Sequence, residues 1–560
     1  MHRRKGISPT LPSRHSSSSS MSSEKEVSRL NQRSLGVTNR IWLILALFVF
    51  LLTFTHFVLP TTHTPTYAFS SLGLTPKNYL NASEVGPNPF DFCPIYGPGD
   101  EIGSKHGATP LGKTRLHLGS GVRIQHVLNR ALAGQPITIS IIGGSISSCH
   151  GAGDDPISPK CYPSRFFQWW NSVFPHPASE LTNGAMRRTS SEYFAFCSAH
   201  HIPDHTDLVI IELDSDDRAD QQALEDFEVL VRSILIRPDL PAVLILGHFS
   251  PQIHTAYGFA GPDHYHNIVA QFYDVPHISA KALVYPEYMQ DPDAVISKYY
   301  VDPVLASPRG HELIADALIS YLQSQICTAW AVASGAAYDV VPARTTFDQP
   351  AGDTHGLFGG VGLRKGVPED EAGSDDSGKL ADLPPTSNLF HPSLRIPRAR
   401  IATRPNDARP FQELAPFCVS AHDLINPLPV SLFYGSGWHA FHPPGGTGAL
   451  QSNKAHYWYS TLPTSKMRIP VQVGAGDIGI YYIKEPINTV GEGSAVECWV
   501  DDNYAGARTV ENAADVPEAT AALFYIDHFV SRGSHFVECQ LMGEEGQSVP
   551  AFKIVGIFSS

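Results

Sequence analysis

The sequence predicts an α/β domain on a parallel sheet with helices on both faces, then an all-β sandwich, behind an N-terminal transmembrane helix. Three observations carry this. Between about residues 135 and 330, apolar β-rich runs alternate with amphipathic helical stretches, the pattern of βαβ units. From about residue 410, short β-rich runs are separated by Gly, Asn, Asp and Pro, and no long amphipathic helix interrupts them. That pattern reads as a sandwich. The apolar run from Ile41 to Leu59 is long enough for a bilayer, which needs about 20 residues.

Length and composition agree. A chain of 560 residues fits two domains plus extensions. A net charge of -14 argues against nucleic acid as the main partner. Hydrophobic content of 42% suits a sizeable core, and 45 prolines with 45 glycines point to many loops and turns.

Residues 1–40 are polar, serine-rich and basic, with Arg3, Arg4, Lys5, Arg14, Arg29, Arg33 and Arg40. No basic residue follows the apolar run until Lys77. The positive-inside rule therefore puts residues 1–40 in the cytosol as a basic tail, with 41–59 as a signal-anchor. The competing reading is a cleaved signal peptide, but the leader is long and lacks a small-residue cleavage site. The expectation is a type II protein of a secretory-pathway membrane (Golgi, ER or plasma membrane), its body lumenal or extracellular. The eight cysteines all lie beyond the apolar run, where disulfides are permitted. None forms a Cys-x-x-Cys pair, which argues against a zinc or redox motif. Cys149 and Cys161 bracket a loop they could staple, and Cys498 and Cys539 sit in two strand-like runs; buried free thiols are the alternative. Asn81-Ala82-Ser83 is an N-glycosylation acceptor.

The elements follow in order. Residues 60–134 form a loop-rich lumenal stem and lead-in, with a helix expected around Val122–Ala133. The α/β domain occupies 135–334. Ile137–Ile142 is a strand, Ser164–Phe174 a helix, Leu208–Leu213 a strand and Asp220–Ile236 a helix with apolar helical spacing. Ala242–Leu246 is a strand ending at Gly247-His248, and Glu312–Ile326 closes the domain as a helix. Residues 335–409, with Gly359-Gly360, acidic runs at Glu369–Glu371 and Asp375-Asp376, and Pro384-Pro385, are expected to be a disordered linker. The sandwich, 410–560, takes strands over Met467–Val473, Ile478–Ile483, Ala495–Val500, Ala521–Ile526, His535–Leu541 and Phe552–Phe558. It is expected to fold alone. Its last strands resemble those of galactose-binding-like jelly rolls. Trp438, Tyr457, Trp458 and Tyr459 could stack on sugars or pack in a core.

The chemistry starts at Ile137-Thr138-Ile139-Ser140-Ile141-Ile142-Gly143-Gly144-Ser145. A buried strand runs into a glycine turn with a serine at its tip, at the sheet edge where open α/β folds bind ligands. The reading is a nucleophile; the bland alternative is an ordinary strand–loop with a chance serine. Asn183-Gly184 follows the next strand. Asp207–Leu213 leads into Asp214-Ser215-Asp216-Asp217, and Asp302-Pro303-Val304-Leu305 precedes Ser307–Asp316 with His311. In order and spacing this resembles the blocks of the SGNH (GDSL-type) hydrolases over about residues 135–330. It resembles in particular a fungal, membrane-anchored, capsule-associated branch of them. The resemblance implies an SGNH-like fold, ester chemistry on acyl groups and a polysaccharide or glycan substrate. No cofactor and no metal are expected. Ser145 would attack, backbone N–H groups of Ser145 and Gly184 would hold the oxyanion, and an aspartate would orient a histidine base.

Two signature positions depart from that pattern. The oxyanion asparagine is Asp216, and no asparagine lies between Asn183 and Asn267. The catalytic histidine is Leu305, and His311 lies nine residues after Asp302 where the family has three. Serine needs a base to become nucleophilic, and leucine cannot serve. An ionised Asp216 would repel an oxyanion; raised by burial, it could donate as a neutral acid. Asp302 or His311 could act only if the loop brings either to Ser145. The candidate site residues are therefore Ser145, Gly184, Asp216, Asp302 and His311, in a degenerate serine-esterase pocket. Such a pocket either runs on a rearranged set, as an esterase or acyltransferase, or belongs to an inactive glycan-binding or assembly factor that retains the fold. His248 lies past a strand end, as a pocket-lining or structural residue. His200, His201, His264 and His266 show no clean metal-ligand spacing.

Overall fold

The computed structural model of the protein describes residues 33–34, 37–57, 73–81, 88–335, 396–405, 411–413, 416–423, 434–442 and 456–560. The chain divides into two compact units, Met1–Ala68 and Phe69–Ser560. In the first, a 19-residue helix covers Asn39–Phe57, over most of the expected anchor, with side chains described from Ile41 to Phe50. Among the described residues no helix is long and apolar enough to cross a membrane. Residues 58–59 of that anchor, Ser83 of the glycosylation acceptor and 336–395 of the expected linker lie outside the described residues.

The second unit opens with the α/β domain. Its sheet has six strands: β1 (Arg115–His117), β2 (Thr138–Gly143), β3 (Glu180–Asn183), β4 (Leu208–Glu212), β5 (Ala242–Gly247) and β6 (His277–Ser279), in the order β1-β6-β5-β4-β2-β3. Only β1 is antiparallel to its neighbour. Every residue of β4 and β5 is buried, because helices cover both faces and leave no polar side to the strand. Alternate side chains feed two cores. Ile139, Ile141, Leu208 and Ile210 pack beneath the helices Tyr162–Val173 and Pro308–Ala333. Ile142, Val209 and Ile211 pack with Leu224, Phe227 and Leu230 of the helix Gln221–Leu235. Asp220 and Ser307 cap the helices that follow them, on Ala223 and Gly310 N–H.

The closing helix runs to Ala333, well past the expected Ile326. Residues 327–333 carry no charged face that would signal helix. They are held by tertiary contacts: Ala329 is buried, and Cys327 is bonded to Cys93. Strand β2 lies between β3 and β4, so the chain leaves its neighbours in opposite directions. The end of β2 is thus the topological switch point, where open α/β sheets form their crevice. Ser145 follows that end directly.

The sandwich has sheets of five and seven strands, and each expected strand is present within two or three residues. Strand Lys466–Val473 alternates exposed and buried without exception, as a sheet with one wet face requires. Strand Ile478–Pro486 is buried almost throughout. Ile478, Ile480 and Tyr482 face the sandwich core, while Tyr481 and Ile483 join the core of the α/β domain. Cys498 and Cys539 stand opposite each other on paired strands and form a disulfide, as do Cys149 and Cys161. All eight cysteines are paired. Trp458, 8% exposed, packs in the sandwich core, the packing alternative for it, and the half-buried Trp438 packs against that core.

The expectation of an autonomous sandwich does not survive. Cys197 of the α/β domain is bonded to Cys418 of the sandwich. Phe196 stacks on Phe558 with ring centroids 4.2 Å apart, and Tyr193 Oη lies 2.7 Å from Ser420 Oγ. The described end of the expected linker is docked as well: Arg232 donates to the carbonyl of Pro397 at 2.8 Å, and Ile401 N–H to Glu228 at 2.8 Å. Residues 416–560 alone would bare Tyr481, Ile483, Val555 and Phe558. That fragment is expected to aggregate or bind a hydrophobic dye on size-exclusion chromatography, and Phe558→Ala in the full chain to lose about 3–5 kcal/mol in denaturant unfolding. A monodisperse, dye-free fragment would contradict the shared core.

Candidate active site

The end of β2 approaches other backbone and side chains closely, and glycine is what permits it. A Cβ on Gly144 would fall on the Asp216 carboxylate, and one on Gly143 on the Ser147 hydroxyl. Ser145, 4% exposed, is held from two sides. Its N–H donates to Asp216 Oδ2 at 2.8 Å and its Oγ–H to Asp216 Oδ1 at 2.9 Å. Its Oγ accepts the backbone N–H of Arg188 at 2.9 Å. Arg188 has φ 54°, in the left-handed region, so this N–H is aimed by a backbone conformation few non-glycine residues adopt.

Burial pushes the Asp216 carboxyl up to about 6, against the hydrogen bonds from Ser145 and Ser215 that favour its charged form. The neighbouring acids are answered differently. His266 stands between Asp214 and Asp217, each nitrogen 2.8 Å from a carboxylate oxygen. Burial would lower its pKa, but the two carboxylates outweigh burial and hold it at about 10. It is an imidazolium, stacked on Phe227 with centroids 3.8 Å apart. Asp217 also accepts Ser191 N–H at 2.7 Å, and Asp214 accepts His248 N–H at 3.1 Å. Glu212 accepts the Ser147 hydroxyl at 2.8 Å, and the Tyr162 hydroxyl lies 2.7 Å from that of Ser147.

Of the expected site residues, the structure joins Ser145 and Asp216 alone. The N–H of Gly184 donates to Ile141 O at 2.9 Å, extending the β2–β3 ladder, so it is not an oxyanion donor. Gly184 is small because His201 O lies where a Cβ would go. Asp302 accepts N–H bonds from Val304 and Leu305 at 2.8 and 2.7 Å and closes its own turn. His311 accepts Tyr162 N–H at 3.3 Å, lies nearly parallel to the Tyr162 ring, and is pushed down to about 3 by burial. It is neutral and spent on structure. Leu305, at the histidine position, is 9% exposed and belongs to the core. His248 Nδ1 lies 3.2 Å from Glu212 Oε1, too poorly aligned for a hydrogen bond. Among the described residues no hydrogen bond joins Ser145 to Asp302, His311 or His248.

Sequence reasoning missed two participants. Arg188 acts through its backbone, which no residue type announces. His266 is far along the chain, and only the acidity of Asp214-Ser215-Asp216-Asp217 hints that a buried cation must answer it. Among the described residues no group of three or more His, Cys, Asp or Glu is placed to hold a metal ion.

Comparison with protein-family profiles gives no match, and comparison with curated protein sequences gives none. Among solved structures, the chain is similar to a two-domain esterase (CEX) active on acetylated mannans, seen alone and co-crystallized with mannopentaose. Both matches are 18% identical and cover 80% of this chain and 98% of that one, with TM-scores of 0.53 and 0.52. At that identity the likeness shows the fold: this chain has the fold of that two-domain esterase.

The site makes a signed pH prediction. The folded pKa of Asp216 lies above its ordinary 3.8, at about 6, so the folded state takes up its proton first. Stability then falls as pH rises from about 4 to 6. That displacement corresponds to about 3 kcal/mol at most. Asp216→Asn, which keeps an acceptor for Ser145 N–H, is expected to melt higher than wild type above pH ~6 and to lose that advantage near pH ~4. A melting difference independent of pH would contradict the assignment.

Proposed function

We propose that this chain is an SGNH-type protein of carbohydrate-esterase fold that binds polysaccharide or glycan and does not turn over acyl esters through Ser145. The observation that carries it is the Asp216 carboxylate bonded to both Oγ and N–H of Ser145. The N–H that should face an oxyanion is taken, and Gly184 offers none. Losing one such donor costs about 10²–10³ in rate. An anion about 4 Å from a developing oxyanion adds about 4 kcal/mol at an effective dielectric near 20, about another thousandfold. Among the described residues no imidazole is hydrogen-bonded to Ser145 to take its proton. The glycan ligand is supported by the fold shared with an esterase active on acetylated mannans. We place the body in the lumen or outside the cell, behind an anchor over 41–59. Four disulfides support an oxidising compartment.

One observation favours a second reading, an O-acyl esterase or acyltransferase on glycan. Asp216 accepts the Ser145 proton at 2.9 Å and is a stronger base than an ordinary carboxylate. In that scheme Asp216 takes the proton as Oγ attacks the acyl carbon, then returns it to the departing sugar hydroxyl. Water or a second sugar hydroxyl next attacks the acyl carbon and gives its proton to Asp216, which returns it to the departing Ser145 Oγ.

The test is p-nitrophenyl acetate hydrolysis and oligosaccharide binding by the full-length protein. Wild type is expected to hydrolyse no faster than Ser145→Ala, and both to bind mannan oligosaccharides alike. Turnover lost in both Ser145→Ala and Asp216→Asn would overturn the proposal in favour of the second reading.

A further inference from the structure

A cleft of about 390 Å³ opens between the α/β domain and the sandwich, with Asp216 in its wall. The size falls within that of small-molecule sites, about 300–1,000 Å³. Its arginines are already answered: Arg188 pairs with Glu518, and Arg218 with Asp220 at 3.1 Å. Asp217 is answered by His266. Two carboxylates in the wall are not.

Asp226, on the helix Gln221–Leu235, is 4% exposed. Its Oδ1 accepts a long bond from Gln222 Nε2 at 3.2 Å. Among the described residues no hydrogen bond reaches Oδ2 and no ion pair reaches either oxygen. Glu192, on the helix Ser191–Cys197, makes neither a side-chain hydrogen bond nor an ion pair among the described residues. The two are close enough to repel. Burial first, then the charges of Glu192 and Asp217, hold the Asp226 carboxyl up at about 7. Burial also raises Glu192, with Arg218 and Lys484 opposing. Lys484 is the one cation of this wall that makes no ion pair of its own among the described residues. Unpaired carboxylates at a buried wall are costly, and here they face open volume, which a ligand can fill.

We infer that the cleft binds an amino sugar, with its protonated amine between Glu192 and Asp226. This rests on the glycan reading and adds the class of sugar. An ammonium supplies charge-assisted hydrogen bonds to both carboxylates. It also removes their mutual repulsion, which a neutral hydroxyl cannot do. The polar wall around them, with Ser190, Lys484 and Thr520, suits the sugar's hydroxyls. N-acetylation deletes the charge and adds bulk at the point of contact, so the cleft discriminates against it.

The experiment is calorimetric titration of the full-length protein at about pH 7 with tetramers of glucosamine, N-acetylglucosamine and mannose. The glucosamine tetramer is expected to bind at least about tenfold more tightly than the other two, a difference of about 1.4 kcal/mol. Asp226→Asn, close to isosteric, and Glu192→Gln, on a more exposed side chain, are each expected to erase that preference. Equal binding of the three sugars, or a preference untouched in both carboxylate variants, would overturn the amino-sugar assignment and leave the glycan reading standing. Failure of every sugar to bind would overturn both.

Discussion

The burial of four acidic side chains at one sheet edge constrains everything around it. Glu212, Asp214, Asp216 and Asp217 lie at the end of β4 and in the turn beyond, none more than partly exposed. Each must be answered, because an unpaired buried charge is among the costliest features a fold can hold. His266 answers two of them as an imidazolium, drawn in from a different helix. Ser147 answers Glu212. Asp216 is left with the serine at the switch point. Both donors of Ser145, its N–H and its hydroxyl, serve that carboxylate. The same interaction that satisfies Asp216 therefore occupies both donors of the serine.

The sandwich completes this arrangement. Strand Ile478–Pro486 packs two ways, and its outer face meets the α/β domain, where Tyr481 packs on Tyr193 of the helix Ser191–Cys197 with ring centroids 4.8 Å apart. The disulfide from Cys197 to Cys418 fixes the two parts across that face. The result is a cleft whose floor is the acidic turn and whose far wall is a β-sheet, so a ligand there touches both domains at once.

Much of the fold was legible because its signals are local. Continuous apolar runs such as Leu208–Leu213 mark strands buried on two sides, and helix Asp220–Ile236 carries its period and its cap within itself. The strict alternation of Lys466–Val473 marks a half-wet sheet. The ends of elements held by distant partners were not legible, as with residues 327–333, which need Cys93. The dependence of the sandwich on its neighbour was hidden too, since Tyr481 and Ile483 look like any core residues. In the site, Asp216 and Leu305 stood out as departures from the pattern that the sequence resembles. What Asp216 does instead required the geometry. Asp302 and His311 fitted by spacing, yet one closes its own turn and the other braces Tyr162. Gly184 fitted by position, and its N–H belongs to the sheet.

The central claim is that Asp216 holds Ser145 in a state that cannot attack. Fluorophosphonate labelling tests this directly, since an activated serine displaces fluoride and gains a phosphonyl group on Oγ. Intact-mass measurement of the full-length protein after exposure to the reagent is expected to show no adduct at Ser145. A stoichiometric adduct mapped to Ser145, lost in Ser145→Ala, would contradict the account.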